Sequence, residues 1–142
     1  MRDTVHTDTA PKPVGAYPHA RRVGNLLFLS GIGPRRPVSD EIPGNVHDAA
    51  GQLVDYDIEA QCESVFANVR AVLEASGARW EDLVDVTVYL TDMARDFAAY
   101  NRVYARHFTS AQPCRTTLGI SALPTPIAIE LKCVAVIPES VG

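Results

Sequence analysis

The sequence predicts an α+β domain in which a single mixed β-sheet carries two helices on one face. Three observations lead there. Ile58, Cys62, Val65, Phe66, Val69, Val72 and Leu73 recur at helical spacing between Asp57 and Gly77. Val84, Val86, Val88 and Leu90 alternate with Asp85, Thr87, Tyr89 and Thr91, which is the period of a strand. The run Ile127 to Val136 is almost continuously apolar, as in a strand covered on both faces. Two helices can cover only one face of a sheet. The other has to be buried by further copies of the chain, so a symmetric oligomer is expected.

At 142 residues with 46% hydrophobic content, the chain makes one domain, 1–142, with a substantial core. A net charge of −4, with basic doublets only at Arg21-Arg22 and Arg35-Arg36, leaves no footprint for nucleic acid. The polar start MRDTVHTDTA has no apolar core of a signal peptide, and no window reaches the length of a membrane span. A soluble, cytoplasmic protein is expected. Cys62, Cys114 and Cys133 lack the spacing of a zinc site or a disulfide framework, and His6, His47 and His107 lack ligand spacing.

In chain order, residues 1–13 are polar, end in Pro-Lys-Pro, and read as an extended arm. Gly24-Asn25 joins two short strands, His19 to Val23 and Leu26 to Ser30, because both residue types tolerate positive φ. Gly31 and Gly33 follow in Ser30-Gly-Ile-Gly-Pro34, where the missing side chains let backbone approach a neighbouring strand or a ligand. Residues 35–56 show no sustained period and form a long loop, or a loop with a short ribbon. A helix runs from the N-cap Asp57 to Ser76, closed by Gly77. Trp80 to Leu83 turn into the alternating strand. Asp96 is expected to cap a second helix, Phe97 to Phe108, with Tyr100 and Tyr104 on its apolar stripe.

The last part of the chain holds the chemistry. Arg115 to Ile120 reads as a strand, 121–126 as a connection, and Ile127 to Val136 as its hairpin partner. That pairing sets Thr117 opposite Glu130 and Arg115 opposite Lys132. It makes Arg115 and Glu130 neighbours on one face. Glu130 stands in the middle of an apolar strand, where a carboxylate has to be paired, hydrogen-bonded or kept protonated. An ion pair that merely holds the hairpin is one reading; a gap that both residues face is the other.

The residues then become recognisable. The chain resembles the reactive intermediate deaminase (Rid, or YjgF-type) family from Ala10 to Val136. The resemblance rests on A-P-x-x-x-G-x-Y at Ala10 to Tyr17, G-N-x-x-x-x-S-G at Gly24 to Gly31, D-F-A-x-Y-N at Asp96 to Asn101, P-x-R-T at Pro113 to Thr116, and Ile129-Glu130. It implies a chorismate-mutase-like homotrimer with a central barrel-like core and ligand clefts between subunits. It also implies hydrolysis of enamines and imines to keto acids and ammonia, without metal or organic cofactor. Arg115 is then expected to hold the substrate carboxylate and Glu130 to orient or activate water. Tyr17, Ser30, Gly31 and Asn101 match other cleft residues.

Thr117 replaces the cysteine common in the best-known branch, and Ile32 replaces its glutamine. Gly15-x-x-Pro18-His19, Ser30-Gly31-x-x-x-Arg35-Arg36-Pro37 and Pro113-x-Arg115-Thr116-Thr117 look instead like the 2-aminomuconate deaminases of aromatic degradation. The expected substrate is therefore a dicarboxylic enamine, with Arg35, Arg36 or His19 as the second cation. A general deaminase of short enamines such as 2-aminoacrylate, and a non-catalytic ligand-binding trimer, are the alternatives.

Overall fold

A computed structural model describes residues 3–138. Two eight-residue strands, β6 (Leu83–Leu90) and β8 (Ile129–Val136), lie side by side at the centre of a six-stranded sheet ordered β1-β2-β3-β8-β6-β7. The outer members are β1 (Thr4–Val5), β2 (Ala20–Val23), β3 (Leu26–Leu29) and β7 (Cys114–Gly119). Neighbours run antiparallel except β6 and β7, which are parallel. Helices α1 (Ile58–Ala75) and α2 (Met93–His107) pack on one face, so the α+β architecture with a mixed sheet is the expected one.

The expected β7–β8 hairpin does not form. Helix α2 connects β6 to β7, and a helical crossover delivers its second strand parallel to the first. The central places go to the two long strands with fully buried alternate positions, while polar β7 takes the edge. Glu130 is consequently opposite Tyr89, and Arg115 and Thr117 are opposite Val86 and Val88.

Helix α1 matches its expected limits. Asp57 accepts from the amides of Glu59 and Ala60, and Ser76 is the C-cap, with Gly77 at φ +78° behind it. Helix α2 begins earlier than expected. Asp92 is its cap, and Asp96 lies inside the helix, buried, accepting the Tyr56 hydroxyl at 2.6 Å. Along β6 the alternation slips at a register shift between Leu83 and Asp85, so Leu83 is buried and Val84 exposed. Gly24 turns β2 into β3 at φ +61°. The arm adds β1 to the edge of β2, and the long loop carries the ribbon β4 (Val46–His47) and β5 (Leu53–Asp55).

The core lies between the helices and Leu27, Leu29, Val86, Val88, Leu90, Ile129, Leu131, Cys133 and Ala135. The opposite face of the sheet is open. Leu26, Phe28 and Leu118 are exposed on it, and Val134 and Val136 half-buried. Among the described residues no helix is long and apolar enough to cross a membrane.

Candidate active site

Glu130 alternates with the buried residues Ile129 and Leu131, so its side chain leaves the sheet on the open face. It is half-buried, and burial raises its pKa above the ordinary carboxylate range. Among the described residues it takes part in no ion pair. Its neighbour is the backbone of Gly31. A Cβ at Gly31 would stand 2.9 Å from Oε2 and 3.0 Å from the carboxyl carbon, so only glycine leaves this carboxyl where it is. The glycine serves here for close approach, as the sequence indicated.

Ser30 and Gly31 bow out of the β3–β8 ladder, which resumes where Ile32 pairs with Leu131. Ser30 is fixed at that bow by donating its hydroxyl to the Pro18 carbonyl at 2.7 Å and its amide to the His19 carbonyl. Tyr17 stands beside them, 40% exposed, on the rim of a cavity of about 40 Å³ that Ser30, Gly31, Gly33 and Arg35 also line.

Arg115 is on the other face. Paired positions on neighbouring strands share a face, and its partner Val86 is fully buried against the helices. Its guanidinium lies over the rings of Tyr104 and Tyr100, 4.7 and 5.4 Å from their centroids, and Nη1 donates to Asn101 Oδ1 at 2.8 Å. The stacking and the Asn101 bond fix the plane of the fork, yet no carboxylate pairs with it among the described residues. Thr117, on the same face, is engaged with the Tyr100 hydroxyl at 2.9 Å and serves α2 packing.

The two residues expected to share a gap thus do not share one within a protomer. Strand β6 separates β7 from β8, and Tyr89 lies three residues along it from Val86. Two interstrand spacings and three residue rises put the α-carbons roughly 14 Å apart, with side chains on opposite faces.

The candidate second cations are mostly committed elsewhere. Arg35 donates to Asp40 and to the Lys12 carbonyl, both at 2.7 Å, and clamps the arm to the long loop. His19 is buried, with Nε2 against the Pro11 carbonyl at 2.8 Å and Nδ1 accepting from the Thr7 amide. Arg36 is exposed and lies 3.8 Å from Glu41. Cys114 is exposed beside Arg115, and no metal-binding cluster occurs among the described residues.

Two supporting side chains, outside the expected site residues, carry a signal in the sequence. Gln61 and Asn68 fall on the α1 stripe with Val65 and Val72, and a polar residue on an apolar stripe calls for a buried partner. Gln61 accepts the Ala128 amide and donates to Asn45, which itself donates to the Pro126 carbonyl. Asn68 donates to the carbonyls of Gly33 and Arg35. Together they moor the segments that lead into Glu130 and away from Gly31.

The domain thus carries a braced arginine without a carboxylate partner on one face of a mixed sheet and a carboxyl in no ion pair on the other. The chain belongs to the Endoribonuclease L-PSP family, whose profile matches residues 7–137. It is 38% identical to a RutC family protein of Pyrococcus horikoshii over 135 residues, 95% of this chain and 98% of the relative. It is 35% identical to the 2-iminobutanoate/2-iminopropanoate deaminase of Dermatophagoides farinae, covering 94% of each chain. The crystal structure of RidA from an Antarctic Psychrobacter superposes with a TM-score of 0.82 at 33% identity, over 96% of this chain and all of that one.

Proposed function

We propose that the protein is a hydrolytic deaminase of enamine and imine intermediates, working in clefts where Arg115 of one protomer meets Glu130 of the next. The observation that carries this reading is Glu130, a half-buried carboxyl with a raised pKa, no counter-charge, and the bare backbone of Gly31 against it. Unpaired, perturbed carboxyls in the interior mark sites that handle protons. The open sheet face that bears Glu130 also exposes Leu26 and Phe28, so a second copy covering that face would bring a β7 edge to it. The trimer implied by the family resemblance supplies such a cover.

In this mechanism the Arg115 fork holds the carboxylate next to the reacting carbon, its plane already fixed by Tyr104 and Asn101. The enamine reaches its imine tautomer by gaining a proton at carbon and losing one from nitrogen. Glu130 takes a proton from water as the oxygen bonds to the imine carbon and passes it to nitrogen, giving the carbinolamine; it then takes the hydroxyl proton and delivers it to nitrogen as the C=O bond forms and the C–N bond breaks. Keto acid and ammonia leave. The relative named as an imine deaminase supports the reaction class, and acid–base help of ~10²–10⁴ is all that it demands. The runs Ser30-Gly31-x-x-x-Arg35-Arg36-Pro37 and Pro113-x-Arg115-Thr116-Thr117 favour 2-aminomuconate as substrate, giving 4-oxalocrotonate; the named relative favours short imines.

The test is ammonia release from 2-aminomuconate and from 2-iminopropanoate, each generated in situ by an upstream enzyme. Wild type should exceed Arg115→Ala and Glu130→Gln by ~10² or more on its substrate. Wild type no faster than buffer on both compounds would sink the proposal.

A further inference from the structure

The open face carries a second ionisable group that the mechanism does not use. Lys132 is two residues beyond Glu130 on β8, so both side chains leave the sheet on the same side. It is half-buried, and burial lowers its pKa. Its ammonium donates to the carbonyl of Leu29, the last residue of β3 before Ser30 and Gly31 bow out. The cation is therefore drawn to the same irregularity that sets Gly31 against the Glu130 carboxyl.

Among the described residues nothing neutralises it. Thr87 is directly opposite on β6, with Asp85 and Tyr89 at the diagonals, Glu130 and Val134 flank it on β8, and none of these carboxylates forms an ion pair with it. A carbonyl engages one of the three N–H groups and leaves the charge uncompensated. A cation half out of water without a counter-ion is a costly arrangement that an incoming anion relieves.

We propose that the Lys132 ammonium receives the second carboxylate of a dicarboxylic substrate, and so makes this chain select diacids over monoacids. The proposal rests on the deaminase reading for what that carboxylate is attached to. Two positions along a strand span ~6.6 Å, on the scale that separates the reacting carbon from the far carboxylate of an extended six-carbon diacid. Arg35 and His19 are tied to backbone carbonyls and Arg36 is exposed beside Glu41, so Lys132 takes the second-cation role expected of those three.

Equilibrium binding decides it without turnover. Calorimetry would compare trans,trans-muconate with sorbate, which has the same carbon skeleton and one carboxylate, on wild type, Lys132→Met, Lys132→Gln and Lys132→Arg. Wild type should prefer muconate by about tenfold or more, the scale of one charge-assisted contact. Met and Gln should lose that preference while keeping sorbate affinity, and Arg should keep most of it. A wild-type ratio below about threefold overturns the proposal with no variant needed. So does a ratio unchanged in Met or Gln, or an equal loss of both ligands. A muconate preference that depends on Lys132, in a protein that releases no ammonia from any imine, would instead refute the deaminase reading alone.

Discussion

Two inactive variants should rescue each other. The sheet register puts Arg115 and Glu130 of one chain on opposite faces, so the proposed cleft takes one residue from each of two protomers. In a mixed oligomer of Arg115→Ala and Glu130→Gln chains, a cleft is intact when its arginine comes from a Glu130→Gln chain and its glutamate from an Arg115→Ala chain. At equal expression and random assembly each condition holds for half the protomers. About one quarter of the clefts in the whole population are then wild type, and about one third of those in mixed trimers once the two homotrimers are set aside. If both residues came from one chain, no cleft would be intact.

The assay is co-expression of the two chains with different affinity tags, isolation of mixed oligomers through both tags in turn, and measurement of ammonia release per cleft. Each parent should fall ~10²-fold or more below wild type, so recovery to about a third of wild type in mixed trimers, the two homotrimers having been discarded by the double-tag isolation, stands far above the background. Activity of the mixture no higher than the mean of its parents would refute the composite site and with it the argument from register.

Two further outcomes concern stability. Burial raises the Glu130 pKa, so over the window between its unfolded and folded values the native state keeps a proton that the unfolded chain has released. Stability falls as pH rises through that window, and glutamine escapes the loss. Glu130→Gln should therefore melt above wild type at pH ~8, with the difference gone below pH ~4 by calorimetry; a lower melting point at pH ~8 would refute the sign. The Tyr104 hydroxyl is buried without a partner among the described residues, whereas that of Tyr100 bonds Thr117. In urea unfolding Tyr104→Phe should be neutral or stabilising by up to ~1–2 kcal/mol, and Tyr100→Phe should lose ~0.5–1.5 kcal/mol. The reverse order would count against both assignments.

What the sequence disclosed follows the range of the interactions involved. The limits of α1 are set by Asp57, Ser76 and Gly77 within a turn of the helix itself, and they were legible. So was the presence of a charge inside β8, because Glu130 interrupts an apolar run. Strand partners were not legible: the pattern of Cys114 to Gly119 says strand, but only α2 and the length of β6 and β8 decide that it lies parallel at an edge. Asp96 and Asp92 are equally good local caps. The choice falls to Asp92 because Tyr56, forty positions away from Asp96, supplies that carboxyl with a donor inside the fold. In the sequence Arg35 and His19 look like available groups, and the carbonyls of Lys12 and Pro11 that occupy them come from an arm with no pattern pointing at either.

The sheet separates two kinds of polar residue by face. On the helix side polar groups are largely matched: Gln61 with Ala128 and Asn45, Asn68 with two carbonyls, Thr117 with Tyr100. On the open side Glu130 and Lys132 are half-buried and lack counter-charges, although a strand period of two places them within reach of each other's surroundings. A fold that only had to be stable would put valine at both positions, as it does at Val134 and Val136 farther along the same strand. A carboxyl and an ammonium two residues apart that form no ion pair, on a face that also exposes Leu26 and Phe28, fit the proposed site that an assembled partner completes. In that proposed assembly Glu130 and Lys132 belong to one protomer and Arg115 to its neighbour.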